Sequence, residues 1–103
     1  MKVLLILCIQ EYVQEVRNLL KNLDIPMFSE IDMEGFKRKK DQDQIDRWFS
    51  GENTERASKL ILCIQTERVV DEVMQAVQHV NQTLQERAQF PIHAYQLTIE
   101  EYI

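Results

Sequence analysis

A chain of 103 residues with 45% hydrophobic and 28% charged residues, two glycines and two prolines has room for one globular domain and excludes the disordered and fibrous classes. A net charge of -5 argues against a general nucleic-acid role, since neutralising phosphates takes a basic face and only Lys37 to Lys40 offers a local one. The apolar start, Val3 to Ile9, is too short to span a bilayer and leads to no small-residue cleavage site. The expected setting is therefore a reducing cytoplasm, with Cys8 and Cys63 as free buried thiols.

Residues 2 to 9 form a β-branched and leucine-rich run that predicts a strand apolar on both faces. From Glu11 to Leu23, Tyr12, Val13, Val16, Leu19, Leu20 and Leu23 fall on one stripe of an amphipathic helix that Asp24 and Pro26 end. Met27 to Met33 alternates, placing Met27, Ile31 and Met33 on one side and Glu30 and Asp32 on a solvated other side. Residues 34 to 57 are polar, carry Gly35 and Gly51 and show no period, which predicts a long connection of the kind that is either functional or mobile. Ser58 to Ile64 predicts a strand, Thr66 a helix N-cap, and Val69 through Leu84 the apolar stripe of a long helix reaching about Arg87. Beyond Pro91, Ile92 to Ile99 predicts the last strand.

Leu5-Ile6-Leu7-Cys8-Ile9-Gln10 recurs unchanged as Leu60-Ile61-Leu62-Cys63-Ile64-Gln65, and a similar helix opening follows each copy. The order β-α-β, long loop, β-α-β predicts an α+β, ferredoxin-like βαββαβ sandwich spanning residues 1–103 as a single domain. Its four-stranded antiparallel sheet carries both helices on one face and the long loop between strands 2 and 3. In that fold the duplicated strands are expected to be the two central ones, as parallel neighbours. Because they are apolar at every position, the helix-free face would expose Leu and Ile in a monomer, which predicts an oligomer sealed across it.

Few residues suggest catalysis. Cys8 and Cys63 hold equivalent repeat positions, so a thiol pair is conceivable, but an apolar strand buries a thiol and raises its pKa. His79 and His93 stand at no metal-ligand spacing, and no Ser-His-Asp order or glycine-rich phosphate loop is visible, so no catalytic residue, metal ligand or cofactor is assigned. The cationic run Gly35-Phe36-Lys37-Arg38-Lys39-Lys40 suits an anionic ligand or an acidic protein surface, or is a solvated stretch of loop. Trp48 and Phe49 must either pack back on the domain or meet a partner.

The stretch Phe28-Ser29-Glu30-Ile31-Asp32-Met33-Glu34-Gly35-Phe36-Lys37-Arg38-Lys39-Lys40 resembles the second strand and loop entry of PII signalling proteins, where Gly-Phe-Gly-Arg-Gln-Lys follows a Thr/Ser-Glu-Val strand. Gly35, Phe36, Arg38 and Lys40 match in place, while Lys37 and Lys39 replace a glycine and a glutamine. The family's second glycine-rich segment has no counterpart, since that place reads Glu86-Arg87-Ala88-Gln89-Phe90-Pro91-Ile92, so the likeness is to divergent, PII-like relatives. The resemblance implies a non-enzymatic trimer that binds a nucleotide or other small anion between subunits and docks on a target enzyme or transporter through a T-loop. Gly35, Phe36, Lys37, Arg38 and Lys40 would contact the effector, and Trp48 and Phe49 the target. The alternative is a metal-responsive trimer of the CutA or efflux-associated kind, with the histidines or thiols as ligands. A small enzyme or dimeric ferredoxin-like domain using the open sheet face lacks a nucleophile or base in a polar pocket.

Overall fold

The computed structural model describes residues 1–36, 55–84 and 91–103. Strand β1 (Lys2–Ile9) passes through a single 3-10 turn (Gln10–Tyr12) into helix α1 (Val13–Asn22), and β2 (Ser29–Phe36) follows. Strand β3 (Glu55–Gln65), helix α2 (Glu67–Leu84) and β4 (His93–Thr98) complete the second half. The strands form one sheet in the order β2-β3-β1-β4, with every neighbouring pair antiparallel. This is the predicted ferredoxin-like α+β arrangement.

The duplicated strands are central, as expected, but antiparallel rather than parallel. The reason is topological. The first crossover carries the chain from β1 past the central position to the edge strand β2, which runs the same way as β1; β3 then returns antiparallel between them. Their register pairs Ile6 with Ile61, the same repeat position, and Leu5 with Leu62 and Leu7 with Leu60. The local twofold axis of the duplication therefore passes through the Ile6–Ile61 pair.

Antiparallel pairing also separates the thiols. Cys8 lies opposite Lys59 and Cys63 opposite Leu4, an offset of four positions, or about 13 Å along the strands. Both are free and buried.

The core lies between one sheet face and the helices. Leu4, Ile6, Cys8, Ile61 and Cys63 from the central strands meet Val13, Val16 and Leu20 of α1 and Val70, Val73 and Val77 of α2. The two halves bring their helices back to the sheet differently. After α1, Asp24 turns to φ 57°, its N–H donates to the Lys21 carbonyl at 3.0 Å, and the Ile25 N–H donates to the Leu20 carbonyl at 3.0 Å. These two bonds make a Schellman motif, and Ile25 and Leu20 join the same core cluster, as that motif favours. In the second half a side chain makes the connection: the Asn81 amide donates to the Ile92 carbonyl at 2.7 Å and accepts from the Ile92 N–H at 2.8 Å. Thr66 caps the start of α2, with its hydroxyl accepting from Val69 N–H at a long 3.5 Å. The expected continuation of α2 to Arg87 lies outside the described residues. No helix among those described is long and apolar enough to cross a membrane.

Candidate functional site

The expected 34–57 connection is shorter, because strand pairing runs on through Gly35 opposite Arg56 to Phe36 opposite Glu55. Glu34 to Phe36 and Glu55 to Ala57 belong to the β2–β3 ladder, leaving 37–54 between the strands. The alternation of Met27 to Met33 gave no sign that pairing would continue past the glycine. Gly35 is buried. It sits where the ladder approaches its end. Of the other sequence-assigned contacts, Phe36 is the last residue of β2, while Lys37, Arg38, Lys40, Trp48 and Phe49 lie outside the described residues. At the foot of the connection is an open cleft of about 740 Å³ lined by Gln10, Asp32, Met33, Glu34, Ala57, Ser58 and Lys59.

A chain of alternating charges crosses the sheet beside this cleft. Arg17 of α1 grips Glu30 with both arms, Nε to Oε2 at 2.6 Å and Nη2 to Oε1 at 2.6 Å. Lys59 Nζ then stands 3.6 Å from Glu30 Oε1 and 2.6 Å from Asp32 Oδ1. The Arg17 hydrogen bonds, and secondarily the nearby cations, hold the Glu30 carboxyl below its ordinary range. The Lys59 hydrogen bond does the same for Asp32, and Asp32 in turn raises the Lys59 ammonium. Carboxylates with depressed pKa values stabilise the fold above their unfolded pKa near 4 and lose that contribution as pH falls through the lower folded value. The raised Lys59 contributes below the ordinary lysine range and loses it only at higher, strongly alkaline pH. The ladder is therefore fully charged throughout the neutral range.

Glu30 and Asp32 were expected on one, solvated side of the strand and Ile31 and Met33 on the other; the alternation holds, with the Asp32 side chain 80% exposed and the Glu30 side chain only 19%. Glu30 and Asp32 lie on the helix side opposite Ile61 and Lys59, and Ile31 and Met33 on the open face opposite Leu60 and Ser58. Neither Arg17 nor Lys59 was singled out from sequence, although a signal existed. Lys59 occupies the repeat position of Leu4, a fully buried leucine, so the two copies diverge where the second one meets the loop. Burial first, then Glu30, pushes the Cys8 thiol up to about 11, with partial relief from Lys59, and burial raises Cys63. These are unreactive thiols.

On the open face, adjacent rows across the strands read Ile31, Leu60, Leu7, His93 and Ser29, Leu62, Leu5, Tyr95, with Val3, Ile64 and Leu97 beyond. Ile31, Ile64, Tyr95 and Leu97 are 45 to 55% exposed on this one surface. The histidines lie on opposite sides of the molecule, His79 lining a groove between the helices and His93 on the open face. Among the described residues no group of three or more His, Cys, Asp or Glu side chains could hold a metal ion.

No protein-family model matches the chain, and no curated protein does. Solved structures do. CPII of Thiomonas intermedia K12, a nitrogen regulatory PII-like protein, superposes in the form bound to ADP, AMP and bicarbonate with a TM-score of 0.60 at 14% identity, covering 99% of this chain and 94% of that one. The fold is that of a PII-like protein. The apo form of CPII gives a TM-score of 0.57 at 14% identity over 95% of this chain and 89% of its own. The form with ADP, AMP and acetate gives 0.59 at 13% identity over 97% and 88%. Identity this low carries the PII-like fold, and it agrees with the Gly35-Phe36 resemblance, which rests on a separate observation.

Proposed function

We propose that this chain is a non-enzymatic PII-like regulator that assembles as a homotrimer across its open sheet face, takes up a small anionic effector between subunits and docks on a target protein through the 34–57 region. One observation carries most weight. An antiparallel sheet with helices on one face leaves the other to polar residues unless something covers it, and here that face carries Leu5, Leu7, Leu60 and Leu62 at its centre. A second copy is the occupant with matching chemistry. The effector-binding role falls to Gly35, Phe36, Lys37, Arg38 and Lys40, the stretch that follows Glu34 of the cleft in sequence, and CPII, which holds ADP, AMP and bicarbonate, supplies the panel to try first. Trp48 and Phe49 are the proposed anchors on the target. An effector that draws the cationic segment into contact would reorder the connection and so alter docking, an order-disorder switch biased by charge-assisted hydrogen bonds.

Light scattering at micromolar concentration is expected to give three times the chain mass of 12.3 kDa, and the single-chain mass would sink the assembly. Calorimetry against ADP, AMP and bicarbonate is expected to show binding that Arg38→Ala abolishes; binding of none, or binding indifferent to the substitution, would count against the effector site. The metal-responsive alternative draws no support from the described residues, where the thiols and histidines are kept apart.

A further inference from the structure

Two features of the described surface carry opposite charge and stand at the same end of the sheet. The first is an open cleft of about 570 Å³ at the corner where α1 gives way to β2, lined by Arg17 and Lys21 of the helix and by Asp24, Ile25, Pro26 and Phe28 of the connection. Cations outnumber carboxylates there, whereas Asp32 and Glu34 outnumber Lys59 in the cleft at the foot of the 34–57 region, and Glu15 is the charged residue of the helix groove. Glu30 takes the Nε and Nη2 of Arg17, two of the five N–H donors of a guanidinium, so the group can hold a second carboxylate without releasing the first. Lys21 is exposed beside it. The second feature is Glu100-Glu101-Tyr102, where two carboxylates precede an aromatic ring. All three are exposed, Tyr102 by 74%, so their own chain does not cover them.

The strand register sets both features at one level. Thr98 pairs with Lys2, so the acidic segment leaves the sheet where β1 begins. Strand β2 runs the same way as β1 and starts at Ser29, which faces Leu62 as Leu5 does, and Phe28 and Pro26 fall back from there toward the same end. The features belong to opposite edges, β4 and β2, three interstrand steps or about 14 Å apart within one chain. The cationic run that starts at Lys37 follows the other end of β2.

We propose that Glu100-Glu101-Tyr102 of one copy docks in the α1–β2 corner cleft of the next. The proposal rests on the oligomer argued above and names a contact that holds it. Copies that turn their open faces inward around an axis running along the strands keep their ends level, and each brings its β4 edge beside the β2 edge of its neighbour. In a closed ring every cleft then receives one segment and every segment is used once. Glu100 and Glu101 meet Arg17 and Lys21 in charge-assisted hydrogen bonds, and the Tyr102 ring covers Pro26 and Phe28. A second copy is favoured over an unrelated acidic peptide because assembly itself supplies the segment at high effective concentration.

A loss of about tenfold per contact, over the three contacts of a trimeric ring, weakens the association about a thousandfold and raises the half-assembly concentration about thirtyfold. Sedimentation velocity across a concentration series, on the full chain and on one lacking residues 100–103, reads this shift directly. Lys21→Glu is expected to weaken assembly in the same way, Lys21→Gln serving if the glutamate variant misfolds. Joining Lys21→Glu to Glu100→Lys and Glu101→Lys reverses both charges, and that protein is expected to assemble more tightly than either parent variant. Assembly indifferent to loss of residues 100–103, a loss that Lys21→Glu does not share, or a charge reversal that recovers nothing would overturn the docking while leaving the oligomer intact. A single-chain mass for the unaltered protein would overturn both.

Discussion

The two faces of the central strands have nearly the same residue composition and different fates. On the helix side Leu4, Ile6 and Ile61 are almost fully buried within one chain, while on the other side Leu5, Leu7, Leu60 and Leu62 keep partial exposure and Ile64 half of it. Nothing in the side chains themselves separates Ile61 from Leu62. The crossovers do, because both helices pass over one face, and the same apolar chemistry becomes core there and interface opposite.

Four substitutions would break or sharpen that comparison. The largest effect is expected on assembly: Leu62→Lys, at the centre of the open face, should reduce the mass seen by light scattering to that of one chain while far-UV circular dichroism stays native. An assembled Leu62→Lys protein would mean that copies meet elsewhere. Its neighbour Ile61→Ala should instead lower the stability of the chain itself by about 2 to 5 kcal/mol in urea, as expected for truncation of a fully buried side chain. A loss under about 1 kcal/mol would show that the helix-covered side is not the tightly packed one. Asn81→Ala removes both hydrogen bonds to the Ile92 backbone and leaves partly buried groups unmet, so a loss of about 1 to 3 kcal/mol is expected by thermal or urea unfolding. Because Ile92 anchors β4 from the covered face, the same variant should loosen the setting of His93 on the open one. The smallest expected effect is a gain: Asp24→Gly relieves a left-handed backbone at φ 57° and should add about 0.5 to 1 kcal/mol, with assembly unchanged. Destabilisation there would show that the aspartate side chain contributes more than the backbone strain costs.

Most of the architecture was legible because it rests on periodicity. A seven-residue apolar run, two stripes at helical spacing and one identical hexapeptide are local patterns, and local patterns survive without knowledge of neighbours. Direction and facing were not legible in that way. The equivalence of Cys8 and Cys63 made a thiol pair on neighbouring strands conceivable, and only the path of the chain through edge strand β2 makes those strands antiparallel and puts the thiols out of reach. Likewise the alternation of Glu30 and Asp32 with Ile31 and Met33 was visible, but which set met the helix layer depended on Arg17 and Lys59, residues distant in sequence. Of the candidate site, Gly35 and Phe36 were assigned through a motif, while the charge ladder beside the cleft went unread because its members come from three separate elements.

The sequence alone determined the duplication, the order of elements, the apolarity of both faces of the central strands and the cationic stretch after Gly35, since each is carried by contiguous residues. Only the tertiary structure decided that the twofold axis runs through Ile6 and Ile61, that the strand ladder continues past Gly35, and that His93 joins the leucines on the open face. Those facts are matters of register and crossover, and register is settled by which distant side chains can be buried together rather than by any residue's own preference.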